Sequence, residues 1–375
     1  MDLLVKEVTT RRELQAFIRF PVSLYRRNPF YVPALSFDEL NTLRREVNPA
    51  FEHCEARYWL AARGGQIVGR VAGILNRKHI EKWGQKYLRF GWLDFIDDPA
   101  VSAALIGQVE AWARAEGLEA VHGPLGFTDL DREGMLIDGF DELATLSTNY
   151  NHAYYPVHME RLGYAKDTDW VEYEIDVPAE PDANIARIAD IALRRNKLQL
   201  LKARNKNELL PYAGQLFDLL DEAYAHLYGT VPLTRRQVDA YIKQYFGFVT
   251  PDFVPVVLDA NGRMVAFGIT MPSLSHALQR SGGRLFPFGF VHLLKALRKN
   301  DRADLYLVAV RKEYQNKGVN AILMNQMNQV FVRLGVRRVE SNPELETNAN
   351  VQGQWKYYQR RQHKRRRVFI KMLPP

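Results

Sequence analysis

Leu305 to Met324, LYLVAVRKEYQNKGVNAILM, is the stretch whose reading decides the fold. Leu305, Leu307 and Ala309 form one apolar row, and Tyr306, Val308 and Val310 form the other. A run apolar on both faces predicts a buried strand. The chain then enters a charged loop, Arg311 to Lys317, with Gly318 as its hinge. An apolar helix follows, with Ile322, Leu323, Met327, Val330, Phe331 and Leu334 at helical spacing and Gly335 as its stop. A strand that passes through such a loop into a helix aims the helix's free N–H groups at the loop. That end carries partial positive charge and suits an anion. Lys317 and Arg311 are expected to add full charges there.

Gln315-Asn316-Lys317-Gly318-Val319-Asn320-Ala321 resembles the pyrophosphate loop Q/R-x-x-G-x-G/A of the GCN5-related N-acetyltransferases (GNAT). Gln315 and Gly318 match, and Asn320 stands where Gly or Ala is usual. Met159-Glu160-Arg161-Leu162-Gly163-Tyr164 is similar to the family's Y-E-x-x-G-F segment, with Met for Tyr. The resemblance implies that the loop amides hold the pyrophosphate of acetyl-CoA or another acyl-CoA. It implies that the fourth and fifth strands splay, and that main-chain groups of Leu307, Val308, Ala309 and Val310 pair with the pantetheine arm. The family's general acid is often a tyrosine seven residues beyond an asparagine that contacts the cofactor. Asn350 and Tyr357 have that spacing, and Tyr358 takes the role if the register differs by one. Core aromatics on an amphipathic helix are an equal reading of both tyrosines, and Arg361-Gln362 replaces the family's Gly-Phe. Glu340, Glu344 and Glu346 lie on or just after the fifth strand, where a base could sit, although surface carboxylates are the commoner case.

The rest of the chain repeats this plan. GGQIVGRVAGI from Gly64 and NGRMVAFGITM from Asn261 occupy equivalent places in two halves, as do GLEAVHGP from Gly117 and GVRRVESNP from Gly335. Gly64-Gly65 between apolar runs predicts a hairpin. The segment PAEPD, Pro178 to Asp182, is a boundary. The expected fold is α/β (α+β): two tandem GNAT-like domains, 1–178 and 183–375, each a mixed, mostly antiparallel sheet flanked by helices. The first half has Asp97-Asp98-Pro99 where a basic glycine loop would be, so it is expected to lack a CoA site. Gly123 to Glu142 reads as a long loop, its Asp129, Asp131, Glu133 and Asp138 as a solvated acidic face without calcium spacing. Asn207 to Tyr228 and Ala349 to Arg361 are expected to be helical, Arg367 to Met372 to be the closing strand, and the Arg/Lys run before it a solvated turn. That run alternatively contacts the 3′-phosphate of CoA or an acidic acceptor. Ser273 to Asn300 is an apolar insertion, either a helix on the sheet or a wall for an acyl chain or acceptor.

Composition excludes several classes. Hydrophobic residues at 47% and charged residues at 25% are those of a globular protein. One cysteine, Cys54, permits no internal disulfide and no multi-cysteine zinc site, which agrees with a cytoplasmic location. No metal is expected. No apolar run approaches the roughly 18 residues of a membrane span, and no membrane partner is expected. Net charge is +8, but no nucleic-acid motif accompanies it, so nucleic acid is not expected as a partner. The expected activity is acyl-CoA-dependent N-acyl transfer, most simply acetyl transfer, to a small-molecule or peptide amine. The alternatives are a non-catalytic ligand-binding protein of this fold and an aminoacyl-tRNA-dependent peptidyl transferase, which resembles two such domains fused.

Overall fold

The computed structural model describes residues 2–374. Its first half opens with β1 (Leu3–Glu7), α1 (Arg11–Leu24) and α2 (Ser36–Leu43). Thr10 and Glu13 form a reciprocal cap on α1, which satisfies two of its free N–H groups. Next come β2 (Cys54–Arg63) and β3 (Gln66–Asn76), joined through Gly64 and Gly65 at φ +57° and +79°. Positive φ at both positions is the backbone of the expected hairpin turn, and Arg63 pairs with Gln66 across it. α3 (Arg77–Trp83), β4 (Tyr87–Phe95), α4 (Pro99–Ala115) and β5 (Ala120–Gly123) follow. The expected loop after Gly123 contains a short strand, β6 (Met135–Asp138), before α5 (Tyr154–Arg161) and β7 (Ala165–Asp176). Phe90, Phe95, Val109 and Tyr155 lie fully buried between the sheet and α4 and α5. Each contributes about 1.5–3 kcal/mol by leaving water.

The second half repeats the order: α6 (Ala183–Arg195), β8 (Gln199–Leu200), α7 (Ala213–Tyr224), α8 (Arg235–Tyr245), β9 (Val256–Leu258) and β10 (Met264–Pro272). α7 is shorter than the helix expected from Asn207, because Pro211 has no N–H to continue one; 3-10 turns at Lys206–Glu208 and Leu210–Tyr212 precede it. The insertion forms α9 (Ser275–Ser281) and α10 (Gly289–Arg298). β11 (Arg302–Val310), α11 (Val319–Leu334) and β12 (Arg338–Ser341) are the elements of the opening stretch and its sequel. β13 (Glu344–Leu345), α12 (Ala349–Gln352) and β14 (Arg360–Met372) end the chain. The helix expected to Arg361 is α-helical only to Gln352 and continues as a 3-10 helix at Gly353–Tyr357, and the closing strand starts at Arg360 rather than Arg367.

The strands form one sheet ordered β1-β2-β3-β4-β5-β14-β7-β12-β11-β10-β9-β8, with β6 on β14 and β13 on β7. Among the described residues only β4–β5 and β11–β12 pair in parallel. The two sequence halves therefore do not close on themselves. β14, from the second half, completes the first half's sheet at β5; β7, from the first, completes the second's at β12. The expected boundaries 1–178 and 183–375 divide the repeat in sequence but not in space.

Charge specifies this exchange. Arg367 donates to Asp169 at 2.8 Å, Arg365 to Asp169 at 2.9 Å, and Arg361 to Glu174 at 3.0 Å, all between β14 and β7. On the inner face Arg366 is bonded to Glu172 and Lys364 to Glu340, with both cations almost wholly buried. Opposite charges across neighbouring strands favour one partner and one register. The Arg/Lys run is therefore neither a solvated turn nor a free phosphate site. It is an internal strand whose charge is cancelled by its neighbours.

Candidate active site

β11 and β12 run in parallel from Arg302 and Arg338 only as far as Leu305 and Ser341, then part. Asn342 closes the end of the pairing, its N–H on the Leu305 carbonyl and its side-chain amide on the Tyr306 carbonyl, each at 3.0 Å. On the other edge the register with β10 slips between Ile269 and Thr270, leaving Tyr306 as an extra residue. Such a bulge turns the strand and frees main-chain groups. Val308 shows the result. Its carbonyl accepts from the Tyr224 hydroxyl at 3.2 Å, and its N–H donates to the same oxygen at 3.5 Å. Tyr224 of α7 thus stands on the strand edge that the resemblance assigns to the pantetheine arm. Of the other expected strand contacts, Ala309 is paired with Phe267 of β10, and the Val310 carbonyl accepts from the Gln315 side chain at 3.1 Å.

That Gln315 bond ties the loop back to its strand. Asn316 and Gly318 then take φ +58° and +78°, and α11 begins without a side-chain cap. Among the described residues, the N–H groups of Asn316, Lys317, Gly318, Val319 and Asn320 find no acceptor. Successive free amides at the start of a long helix form an anion-binding concavity. Gly318 is required twice: its φ is left-handed, and a Cβ there would lie 3.2 Å from the Ala192 Cβ of α6. Lys317 is exposed beside the loop, and Ala321 packs inward. Arg311, expected to add charge, does not. It is buried, bonded to the Met264 carbonyl at 2.8 Å and paired with Glu222.

The split opens into a cavity of about 580 Å³. Its second-half walls include Leu307, Val308, Asn320, Leu323, Met327 and Phe331. Tyr358 lines it too; its hydroxyl is within 2.9 Å of the Asn328 side-chain amide, and burial pushes its pKa up, so it stays protonated. Tyr357 is 63% exposed and Asn350 is exposed on α12; neither lines the cavity. The change of helix type is the cause: α12 tightens into a 3-10 helix at Gly353–Tyr357, so a spacing of seven no longer returns Tyr357 to the inner face. Of the three candidate bases, Glu340 is held by Lys364 and Glu346 by Lys166 and Arg365. Glu344 is different. It is buried at the cavity wall, with Oε1 accepting from the Trp355 indole at 2.7 Å and Oε2 without a partner among the described residues. Burial pushes its pKa up to about 7, against that indole bond.

The first half supplies the far wall. Asp38, Asp129, Asp131 and Glu133 line the cavity rather than facing solvent. Burial raises all four, Asp38 to about 6 and Asp131 to about 7. Sequence reading missed this because an acidic loop without periodicity looks the same on either side of the surface. The equivalent place in the first half is occupied by the chain itself among the described residues. The Leu125 N–H fills its strand split by bonding the Phe90 carbonyl at 2.8 Å, and the Asp98 carboxylate caps α4 and pairs with Arg63.

Two splayed parallel strands, a bulge and an uncapped helix behind a glycine loop define the class. Residues 215–363 match the model of the acetyltransferase (GNAT) family. The whole chain superposes on a tandem GNAT protein from the clavulanic acid biosynthesis pathway, with a TM-score of 0.56 and 13% identity over 100% of this chain and 99% of that one. The chain has the tandem GNAT fold, and its second half matches the family's model. It is 29% identical to protein YghO of Escherichia coli (strain K12), over 99% of this chain and 95% of that protein. It is 28% identical to a bacterial ceramide synthase of Caulobacter vibrioides, over 92% of this chain and 91% of that one. No helix among the described residues is long and apolar enough to cross a membrane.

Proposed function

We propose that the chain is an N-acyltransferase that takes a long acyl group from acyl-CoA and gives it to an aliphatic amine. The observation that carries this reading is the continuity of free loop amides, open strand edge and apolar cavity. Acyl-CoA as substrate supplies an activated thioester. The amides of residues 316–320 suit its diphosphate, with Lys317 beside them. The Val308 main chain offers one donor and one acceptor to an amide-bearing arm once Tyr224 moves aside. Glu344, with a pKa near neutrality, is matched to receiving a proton from the attacking amine. Tyr358, kept neutral, can donate a proton to the leaving thiolate. As the C–N bond forms and the C–S bond breaks, the proton lost by nitrogen and the one gained by sulfur are thus each provided for.

Acetyl transfer, the simplest expectation, leaves most of a 580 Å³ cavity unused. Each methylene that enters an apolar cavity gains about 0.8 kcal/mol, or roughly fourfold in affinity. The name of the Caulobacter relative, a ceramide synthase, supports an acyl chain and an aliphatic amine of this kind. The tRNA-dependent alternative loses its charge argument, since the C-terminal cations are paired within the sheet. Thermal shift with CoA, acetyl-CoA and long-chain acyl-CoAs tests the reading. Stabilisation by CoA that rises with chain length is expected. No shift with any CoA species would remove the enzyme reading, and equal shifts for acetyl and long chains would remove the assignment of chain length.

A further inference from the structure

The insertion Ser273–Asn300 presents two unlike faces. Leu274, Leu278 and Leu293 are buried in one core cluster with Leu35, and Leu274 and Leu35 also line the cavity. The inner face is therefore part of the cavity's support. The outer face is apolar and bare. Phe286 is 76% exposed and Phe288 73%, with Phe290 and Leu294 also exposed beside them. The same segment carries Arg280, Arg284, Lys295, Arg298 and Lys299, all exposed. The segment contains no Asp or Glu. None of these five cations is in an ion pair among the described residues, whereas the basic run of β14 is neutralised by its neighbours.

We infer that this face docks on an anionic lipid bilayer, with the phenylalanines entering the headgroup–acyl boundary and the cations meeting phosphate. Exposed aromatics accompanied by unpaired Lys and Arg are the chemistry of an interfacial helix. Each cation near an anionic surface adds to binding, and the long side chains let the charges stay at headgroup level while the apolar stems go deeper. A second copy of the chain is the poorer occupant. In a twofold contact the patch meets itself, and five unpaired cations would face five others. Docking here is an alternative to the sequence expectation of no membrane partner. It places the insertion that backs the cavity against the phase in which long-chain amines and acyl groups are held. The surface stands on its own exposure and charge, whether or not the acyl-transfer reading holds.

Vesicle co-sedimentation of the full chain tests it, with phosphatidylcholine vesicles against vesicles also containing phosphatidylglycerol. The wild type is expected to bind the anionic vesicles and to be released by salt. Phe286→Ser with Phe288→Ser, and separately Lys295→Gln with Arg298→Gln and Lys299→Gln, are each expected to weaken that binding by about a hundredfold. Their melting temperatures should match the wild type, because these side chains leave the core untouched. Absent binding, equal binding to both vesicle types, or unchanged binding by the variants would overturn the inference. So would a concentration-dependent dimer in sedimentation velocity that the phenylalanine variant abolishes, if it appears without vesicle binding.

Discussion

Replacing Glu344 by Gln changes charge at one buried atom and almost nothing else. The amide keeps the shape of the carboxyl and can still accept the Trp355 indole N–H through its oxygen. Burial raises the Glu344 pKa from 4.5 to about 7. The folded protein therefore holds a proton that the unfolded chain has already released. Below the unfolded value both states are protonated and the group is neutral to stability. Between 4.5 and about 7 the unfolded state binds fewer protons, so stability falls as pH rises. Above about 7 the full cost is present, about 3 kcal/mol from the size of the shift. Glutamine carries no such cost. Urea unfolding at about pH 5 and about pH 8 should show the variant's advantage over wild type growing by about 2–3 kcal/mol between them. The other raised carboxyls, Asp38 and Asp131 among them, are common to both proteins and cancel in the difference. Thiol release from acyl-CoA should move the other way. Wild-type turnover should rise with pH to a plateau above about 7, and the variant should fall by about a hundredfold or more and lose that rise. Parallel stability profiles would refute the burial argument. Turnover within about twofold of wild type would refute Glu344 as the base.

Three further substitutions probe the rest of the site. Gly318→Asp places a side chain at φ +78°, 3.2 Å from the Ala192 Cβ, and a carboxylate among the free amides. It should lower stability by about 1–2 kcal/mol and abolish the thermal shift given by CoA, and a retained shift would reject the cradle. Tyr357→Phe should leave turnover within about twofold, whereas Tyr358→Phe should lower kcat by about tenfold or more with CoA binding kept. The opposite ranking would restore the spacing-based assignment. Tyr224→Phe frees both Val308 main-chain groups and should tighten CoA binding by roughly two- to tenfold in calorimetry; weaker binding would show that the hydroxyl assists the ligand rather than making way for it.

What the sequence determined by itself is what short range controls. Gly64-Gly65 makes a hairpin because two consecutive residues must take positive φ. Gly318 starts α11 with its amides free because the residue at the N-cap has no side chain to accept from them. The repeat of apolar strand patterns showed two copies of one fold. The tertiary structure alone decided the rest. Alternation along β7 and β14 states that each is a strand but not whose strand. The partners follow from carboxylates and cations some two hundred residues apart coming into register, as Glu172 and Arg366 do. The acidic loop reads as solvated until folding turns Asp129, Asp131 and Glu133 toward the cavity. Tyr358 rather than Tyr357 faces that cavity because α12 tightens into a 3-10 helix. Glu344 becomes a base candidate only when packing removes the water around it. Burial and partnership are properties of the assembled chain, and the ionisation that chemistry needs is set by them.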